Sequence, residues 1–591
     1  MSSFEEATQR FVNSLDDGLG LTILRAILFT CLVAGIFGGY AYSRFRGLDK
    51  PEAMEYAQLG RNLASGAGFT TRCIRPLDIR CIEKHSGGAP SADAMPDIRN
   101  APAYAALLAG GFRLAGMETE SPEPFKIFGP ELKVIVPTGI ILSMLTALLV
   151  YLTARRLFGG SIAFISVFAY VCTDAVLANS VSGRPVSLLA AIASASVYFA
   201  VVSVQTKVEG VSFLRWLIPF AASAGLAGLG VLTGYTMLVF VPVLATFVSL
   251  SFVRGRIFAW MLFACISLAV VAPWCLRNHK LTGSMFGSAP YAALHDTILY
   301  EGDAVDRSIQ AEPGNVLISR ALKAKLASRL VNVWENDLQA LGSGLAICFF
   351  LVSFFHVFDR REVNALRWCI GLGLVMTTIA VAMGDRDMAA RLSVFLPFVV
   401  IYGAAFFVAT TDRIFIEDEW KTVFSGLFVF IVALPAVVNG FALPAQSPYP
   451  PYYPPFVSYT SSMLEDDEVM CSDIPWATAW YGNRSSVLLP STTDEFILLH
   501  AEWHNFSGLY ITTETSGNSY AGSLADGLYQ SWWPVVNRRV PDGFPLRHGI
   551  SLPPDGHDQL FLTDKIRWPE EEQAELAEDV TDEVRVREET P

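Results

Sequence analysis

Long apolar segments separated by polar connections fill the first three quarters of the chain. The first runs from Leu19 to Tyr42, and ten more lie near 132–152, 158–178, 185–205, 212–231, 234–252, 257–276, 341–358, 367–384, 391–411 and 421–441. A helix needs about 20 apolar residues to cross the roughly 30 Å hydrocarbon core of a bilayer. The pattern therefore predicts an α-helical polytopic membrane protein with about eleven transmembrane helices over residues 20–441.

Basic residues in the connections predict the orientation of these helices. They concentrate in alternate connections, at Arg155, Arg156, Lys207, Arg215, Arg254, Arg256, Arg360, Arg361, Arg367, Arg413 and Lys421. Because such residues favour the cytoplasmic side, the N-terminal tail, residues 1–19, is predicted to lie inside. The long loops 43–130 and 277–340 and the tail 442–591 then share the extracytoplasmic face. The first apolar segment is too long for a signal-peptide core, so we expect an uncleaved anchor.

The tail differs from the membrane part in charge and in pattern. Residues 442–591 hold 8 Lys/Arg and 24 Asp/Glu, a net charge of −16, whereas the whole chain carries −13. After a Pro/Tyr spacer, short strand-like segments at 468–473, 486–490, 496–500 and 510–513 indicate a small extracytoplasmic α/β domain over 442–569. Residues 570–591 are acidic and free of aromatic side chains, which is typical of disordered tails. The chain has no basic stripe of the kind that binds nucleic acid.

The first long loop begins with a predicted helix from near Lys50 to the Ser65-Gly66-Ala67-Gly68 breaker. Asp49, Glu52 and Glu55 share one face of this helix, because residues three apart are neighbours on a helix surface. One interpretation is a capping box, in which Asp49 and Glu52 satisfy the first N–H groups and Pro51 occupies the first turn. The other is a cluster of functional carboxylates. The local pattern alone favours the capping box.

Two cysteines in the same loop, Cys73 and Cys81, are eight positions apart. A disulfide between them is one interpretation if the loop faces an oxidising compartment, and a pair of free thiols is the other.

Arginines at the predicted outer ends of the apolar segments are the second group of candidates. They include Arg184, Arg277 and Arg391. A single arginine of this kind is usually an interfacial anchor. Several on one face, opposite an acidic helix, indicate a site for an anionic headgroup, because guanidinium binds phosphate bidentately.

The order of these features resembles the GT-C-fold membrane glycosyltransferases, closest to ArnT-like and protein O-mannosyltransferase-like enzymes of bacteria. The resemblance rests on PEAMEYAQLGRNLASGAGFTT, RNAPAYAALL, APWCLRNHKLTGSMFG and RLSVFLPFVV. It implies a multi-pass protein of the bacterial inner membrane that moves a sugar from a polyprenyl-phosphate donor to a lipid, glycan or protein. The transfer would take place on the extracytoplasmic face.

The resemblance also implies which residues form the site. Pro51-Glu52-Ala53 stands where members have Pro-Asp-Glu, so Glu52 takes the catalytic position, with Asp49 and Glu55 as competitors. The implied phosphate contacts are Arg99 first, then Arg277 and Arg391, with Arg184 beside them. Tyr56 and Tyr104 would line the sugar pocket, or else be ordinary core aromatics.

The implied chemistry is one displacement that inverts the anomeric centre, with a first-loop carboxylate as general base and arginines on the leaving phosphate. Glu52 and Asp49 together could hold a divalent cation, although hard cations need more oxygen ligands than these two side chains supply. The alternatives are a secondary transporter and a non-catalytic membrane scaffold with the same fold.

Overall fold

The computed structural model describes residues 19–117, 128–210, 212–252, 255–310, 315–335, 337–384, 387–414, 418–441, 453–516, 524, 527, 529–552 and 559–568. All of the predicted N-terminal tail 1–19 except Leu19, the predicted disordered tail 570–591 and the Pro/Tyr spacer up to Tyr452 lie outside these residues. The described chain is mostly helical and has one six-stranded sheet, which comes mainly from the tail.

The helices are numbered in chain order. They are α1 (Leu19–Arg44), α2 (Pro51–Ala64), α3 (Pro76–Ser86), α4 (Pro102–Leu114), α5 (Val136–Phe158), α6 (Gly160–Val171), α7 (Asp174–Val181), α8 (Val186–Val208), α9 (Phe213–Val231), α10 (Phe240–Ser249), α11 (Arg256–Thr282), α12 (Ala304–Arg307), α13 (Asn315–Glu335), α14 (Leu345–Val352), α15 (Arg361–Gly384), α16 (Met388–Leu392), α17 (Leu396–Arg413), α18 (Asp418–Phe441), α19 (Pro454–Ser462), α20 (Pro475–Trp480), α21 (Thr493–Glu502), α22 (Thr513–Ser516) and α23 (Trp533–Val536). Short 3-10 or π-helical turns lie at Glu131–Ile135, Tyr235–Val239, Ala289–Leu294, Asp337–Ala340, Ser353–Phe355, Ser393–Phe395 and Gln530–Trp532.

All eleven predicted apolar segments are helical in the described chain, but three differ from a single long helix. Among the described residues, eight helices are long and apolar enough to cross a membrane. The segment predicted as one span at 158–178 is a pair, α6 and α7, bent by 57°. The bend arises where Thr173 leaves the helical conformation and adopts an extended backbone. The apolar helices Tyr235–Ser249 and Leu345–Phe355 are shorter than a span, so the number of crossings stays a prediction.

The first-loop helix α2 lies where the sequence predicts it, but the capping-box interpretation of its start is wrong. Lys50 is the N-cap residue, and no side chain caps the helix. Glu52 therefore has another role than closing the first turn. Helix α2 packs closely on α4, since a Cβ atom added at Gly60 would lie 2.9 Å from the Cβ of Leu108.

The tail forms an α/β domain whose sheet also includes a strand of the first loop. The strands are β1 (Cys73–Ile74), β2 (Val469–Ser472), β3 (Ser486–Leu488), β4 (Phe506–Ile511), β5 (His548–Leu552) and β6 (Gln559–Thr563). Their order is β1-β3-β2-β4-β6-β5. The first four strands in this order are parallel to one another, and β6 runs antiparallel to both of its neighbours, β4 and β5. In the pair β1–β3, Cys73 lies opposite Ser486.

Three of the four predicted tail strands are strands in the structure, and the fourth is a helix. The segments 468–473 and 486–490 contain β2 and β3, and 510–513 overlaps the end of β4. The segment 496–500 lies inside α21, because the Thr492 side chain accepts a hydrogen bond from the Glu495 N–H, at 3.2 Å, and so starts a helix. Strands β1, β5 and β6 were not predicted.

Cys73 and Cys81 are free thiols, so the structure does not support the disulfide. Cys73 lies in β1 and Cys81 in α3, so the first belongs to the sheet and the second to the helix beside it. Burial raises the pKa of Cys73 well above its ordinary value and that of Cys81 to about 12, so both thiols stay protonated at neutral pH.

The pairing of β1 with β3 requires the first loop and the tail to lie on the same side of the membrane. This membrane topology can be tested by cysteine labelling. We expect a membrane-impermeant maleimide to label Gly88→Cys and Asp542→Cys from outside, in a background without exposed native cysteines. Glu209→Cys, in a connection predicted to be cytoplasmic, is the control and should stay unlabelled. Labelling of positions 88 and 542 from opposite sides would contradict the pairing.

Candidate active site

A cavity of about 790 Å³ lies where the first loop, the ends of the long apolar helices and the tail sheet meet. The charged and apolar side chains that line it come from all three parts. Those used below are Glu52, Glu55, Arg75, Arg99, Arg184, His295, Asp306, Asp387, Arg391, Trp476 and Leu488. The cavity therefore holds both carboxylates and guanidinium groups, the two types of group that the sequence singles out.

Glu52 projects from the first turn of α2 between two arginines. Its Oε2 accepts a hydrogen bond of 2.9 Å from the Arg184 Nε, and its Oε1 accepts one from the Arg391 guanidinium. Arg184 also donates from its Nη1 to Asp387 Oδ2 at 2.6 Å. The other carboxylate oxygen of Asp387, Oδ1, caps α16 by accepting from the Ala390 N–H at 3.2 Å. Ion pairs thus connect the three segments around residues 52, 184 and 391 at one side of the cavity.

Glu55, one turn further along α2, belongs to a second and more buried network. One of its oxygens accepts from the Arg75 guanidinium, and the other accepts from Asn100 Nδ2 at 3.2 Å. Arg75 comes directly after β1, so the sheet delivers it to the cavity. Burial would lower the pKa of Arg75, but Glu55 and Asp306 raise it well above its ordinary value, so the guanidinium stays charged.

Asp306, from the second long loop, completes this network. Arg99 donates to its Oδ2 at 2.7 Å, the Arg75 Nε lies 3.7 Å from the same oxygen, and His295 Nε2 lies 3.1 Å from it. Burial alone would raise the pKa of Asp306, but the positive groups around it hold the value well below its usual range. Asp306 therefore stays ionised and fixes the position of Arg99.

Asp97 shapes the turn that carries Arg99. Its Oδ1 accepts from the backbone N–H groups of Arg99, at 3.1 Å, and Asn100, at 2.8 Å, and its Oδ2 accepts from Asn100 Nδ2 at 3.0 Å. A buried carboxylate that accepts several N–H bonds holds a turn rigidly. Arg99 and Asn100 are therefore aimed at the cavity by local backbone geometry.

Five of the sequence-predicted candidates besides Glu52 line the cavity, and three do not. Glu55, Tyr56, Arg99, Arg184 and Arg391 are among the lining residues, whereas Asp49, Tyr104 and Arg277 are not. Asp49 lines a separate pocket and lies 3.6 Å from Lys50 in an exposed ion pair. Tyr104 is buried against Tyr56, with their ring centres 5.5 Å apart.

Arg277 binds the protein's own backbone. It donates to the carbonyl oxygens of Asp97 at 2.7 Å and Phe69 at 3.3 Å, and its guanidinium lies 4.5 Å from the centre of the Trp274 ring. These contacts hold two segments of the first loop, around Phe69 and Asp97, against α11, which is a positioning role.

The described residues do not bring the carboxylates together as a cation site. Both oxygens of Glu52 face guanidinium groups, and Asp49 belongs to another pocket. In the part of the chain that the structure describes, no group of three or more His, Cys, Asp and Glu side chains is arranged to hold a metal ion.

Several residues of the cavity were missed by the sequence analysis. They are Arg75, Asn100, His295, Asp306 and Trp476. Asp306 and His295 lie in a loop with no recognisable pattern, and only the fold brings them to Arg99. Arg75 and Trp476 follow strands of a parallel sheet, whose carboxyl ends commonly hold ligands. The sequence could have pointed to Trp476 in this way, because β2 was predicted. It could not have pointed to Arg75, because β1 was not predicted.

Comparison with known proteins agrees with this architecture. Residues 124–276 match the family model described as dolichyl-phosphate-mannose-protein mannosyltransferase. The chain is similar in structure to the Archaeoglobus fulgidus oligosaccharyltransferase in its apo form, with a TM-score of 0.56 and 12% identity over 85% of this chain and 71% of that one. A search of curated protein sequences found no match.

Two further solved structures share the fold and carry a lipid phosphate. ArnT from Cupriavidus metallidurans bound to undecaprenyl phosphate has a TM-score of 0.52 and 11% identity over 91% of this chain and 98% of that one. The archaeal oligosaccharyltransferase AglB from Archaeoglobus fulgidus, in complex with an inhibitory peptide and a dolichol-phosphate, has a TM-score of 0.54 and 10% identity over 84% and 70%. The predicted GT-C-like membrane fold is confirmed. The chain thus shares its fold with these two membrane proteins, and residues 124–276 match the mannosyltransferase family model.

Proposed function

We propose that this protein is a glycosyltransferase that takes a sugar from a polyprenyl-phosphate donor and transfers it, with inversion, to a hydroxyl group of a lipid, glycan or protein. The transfer takes place on the extracytoplasmic face of a bacterial inner membrane. The observation that carries the proposal is Glu52, held in the cavity between the guanidinium groups of Arg184 and Arg391. ArnT and AglB, which share the fold, were solved with undecaprenyl phosphate and dolichol-phosphate, and this supports a polyprenyl-phosphate ligand.

The ion pairs of Glu52 suggest how the donor activates the base. Both oxygens of Glu52 accept hydrogen bonds from arginines, one from Arg184 and the other from Arg391. A donor phosphate competes for the same guanidinium groups, because arginine binds phosphate oxygens bidentately. When one arginine turns to the phosphate, an oxygen of Glu52 is released. Donor binding and base activation are then one event.

The displacement follows from this exchange. The acceptor oxygen attacks the anomeric carbon, and its proton passes to the released oxygen of Glu52. The bond from the anomeric carbon to the phosphate oxygen breaks, and its electron pair stays with the phosphate. Arg184 and Arg391 stabilise the charge that grows there. A single displacement of this kind inverts the anomeric centre.

Arg99 and Glu55 take secondary parts in the proposal. Arg99 is paired with Asp306 and Glu55 with Arg75, so both side chains already have strong partners inside the protein. We assign the direct contacts with the donor phosphate to Arg184 and Arg391. Arg99 ranks after these two as a candidate phosphate contact. Glu55 is the alternative base, because it lines the same cavity one helical turn from Glu52.

A deletion strain tests the proposed reaction in cells. We expect a polyprenyl-phosphate sugar to accumulate in its lipid extract and the same sugar to disappear from an envelope glycan, lipid or protein. Wild-type protein should restore both, and Arg391→Ala should fail because it lacks a phosphate contact. Arg215→Ala is the matched control, since Arg215 is exposed at the start of α9, at the opposite end of that helix from the cavity residue Thr233. An unchanged pool of lipid-linked sugars in the deletion strain would refute a polyprenyl-phosphate donor.

A further inference from the structure

The tail domain supplies one wall of the active-site cavity, through Trp476 and Leu488. Strands β1, β3 and β2 are parallel neighbours, so their carboxyl ends meet at one edge of the sheet. Leu488 is the last residue of β3, Arg75 follows β1, and Trp476 lies in the first turn of α20, just beyond β2. Open α/β sheets bind their ligands outside this edge. The tail thus presents its ligand-binding edge to the cavity that holds Glu52.

Trp476 differs in its hydrogen bonding from three other tryptophans of the tail, Trp480, Trp503 and Trp532. Trp480 donates its indole N–H to Glu131 at 2.8 Å, Trp503 to the Pro90 carbonyl at 2.9 Å, and Trp532 to the Pro490 carbonyl at 2.9 Å. The N–H of Trp476 is buried and has no hydrogen-bond partner among the described residues.

An unpaired buried N–H group destabilises the folded state, so a tryptophan at this position needs an explanation other than folding. A phenylalanine at this position would cover the same apolar surface as the tryptophan and would have no N–H group that needs a hydrogen-bond partner. The ring of Trp476 is only half-buried and forms part of the cavity wall. Its indole is therefore placed where a ligand can meet it.

The helix that carries Trp476 is fixed to the helix that carries the proposed base. Arg61 of α2 donates to the carbonyl oxygens of Ala479, at 2.7 Å, and Trp480, at 3.1 Å, at the end of α20. Its guanidinium also lies 4.8 Å from the centre of the Trp480 ring. Because α2 also bears Glu52, the tail wall and the carboxylate keep a constant separation.

We propose that Trp476 binds the pyranose ring of a sugar substrate at the transfer site, and this proposal rests on the proposed function. A pyranose offers an apolar face of C–H groups and a rim of hydroxyl groups. An indole with an apolar body and an unpaired N–H complements both, since aromatic side chains with a polar tip suit ligands that are apolar on one side and polar on the other. The ring belongs either to the donor or to an acceptor glycan. The role assigned is binding and specificity, and not proton transfer.

Two variants and one control separate this role from a structural one. Trp476→Phe keeps an aromatic ring and removes the N–H, and Trp476→Ala removes the ring. Trp503→Phe is the control, because Trp503 lies in the same domain and its N–H is bonded to Pro90. Each purified protein is tested for binding of two lipids, the sugar-bearing polyprenyl phosphate from the deletion strain and the same lipid after mild acid has removed the sugar. Transfer in membranes is measured at saturating donor.

If Trp476 binds the donor sugar, the preference for the sugar-bearing lipid over the same lipid without its sugar should fall roughly 2- to 10-fold in Trp476→Phe. The preference should fall further in Trp476→Ala. The melting temperature of Trp476→Phe should not fall below that of the wild type, because the substitution removes no hydrogen bond. Trp503→Phe should melt at a lower temperature and keep the preference. An unchanged preference with slower transfer at saturating donor assigns Trp476 to an acceptor sugar.

Wild-type preference and wild-type transfer in both Trp476 variants would overturn the proposal while the proposed function stands. A wild-type protein that neither prefers the sugar-bearing lipid nor transfers sugar would overturn both.

Discussion

Glu52→Gln is expected to lower the rate of sugar transfer by about 100- to 10,000-fold, the usual contribution of a general base. The amide keeps the shape of the side chain and can still accept a hydrogen bond from Arg184 or Arg391, but it cannot take the proton of the acceptor hydroxyl. No helix cap is lost, because the cap position belongs to Lys50 and Glu52 makes no capping bond. Initial transfer rates of purified protein at saturating donor would measure the effect.

Two matched variants give this prediction its controls. Asp49→Asn removes the same charge from a carboxylate that is exposed and outside the cavity, so near-normal transfer is expected. Glu55→Gln disturbs the second network and should reduce transfer less than Glu52→Gln does. If Glu55→Gln is inactive and Glu52→Gln is active, the base is Glu55. If both are active, neither carboxylate of α2 is the base.

Local sequence signals predicted the elements of this protein well where one segment determines its own structure. The apolar segments, helix α2 between Pro51 and the glycine breaker, and strands β2 and β3 all follow from patterns within about 20 residues. The segment 496–500 failed because its apolar residues fit a strand as well as a buried helix, and Thr492 decided between them through one hydrogen bond. Strand β1 has only two residues, too few for any pattern to reveal.

The candidate site shows the limit of sequence reasoning more clearly. Glu52, Arg184 and Arg391 were each suspected, but their contacts span more than 130 positions and only the fold joins them. Asp49 and Glu52 have the spacing of a capping box, yet the two arginines at Glu52 show that its charge is used in the tertiary structure. Arg277 matched the pattern of a phosphate ligand and instead binds backbone carbonyls. A local pattern identifies a charged residue, and tertiary partners decide its role.

Asp306→Asn should cause the largest loss of stability among the site variants, about 3–5 kcal/mol, because it leaves Arg99 and Arg75 buried beside a neutral side chain. Asp564→Asn is the matched control, since Asp564 pairs with Arg567 near the surface and such pairs contribute about 0–1 kcal/mol. Thermal unfolding in detergent would compare the two. Equal melting temperatures in the two variants would show that the buried network does not stabilise the fold.

The pH dependence and a double variant test the electrostatic origin of that loss. Because the folded state holds the pKa of Asp306 well below the unfolded value of about 3.9, its contribution is fully present at neutral pH and is lost as the pH falls below about 5. The difference in melting temperature between wild type and Asp306→Asn should therefore be constant from pH 6 to 8 and shrink in acid. Adding Arg99→Gln to Asp306→Asn removes one of the stranded cations and should restore part of the stability. A double variant no more stable than Asp306→Asn alone would mean that the loss comes from packing and not from the buried charge of Arg99.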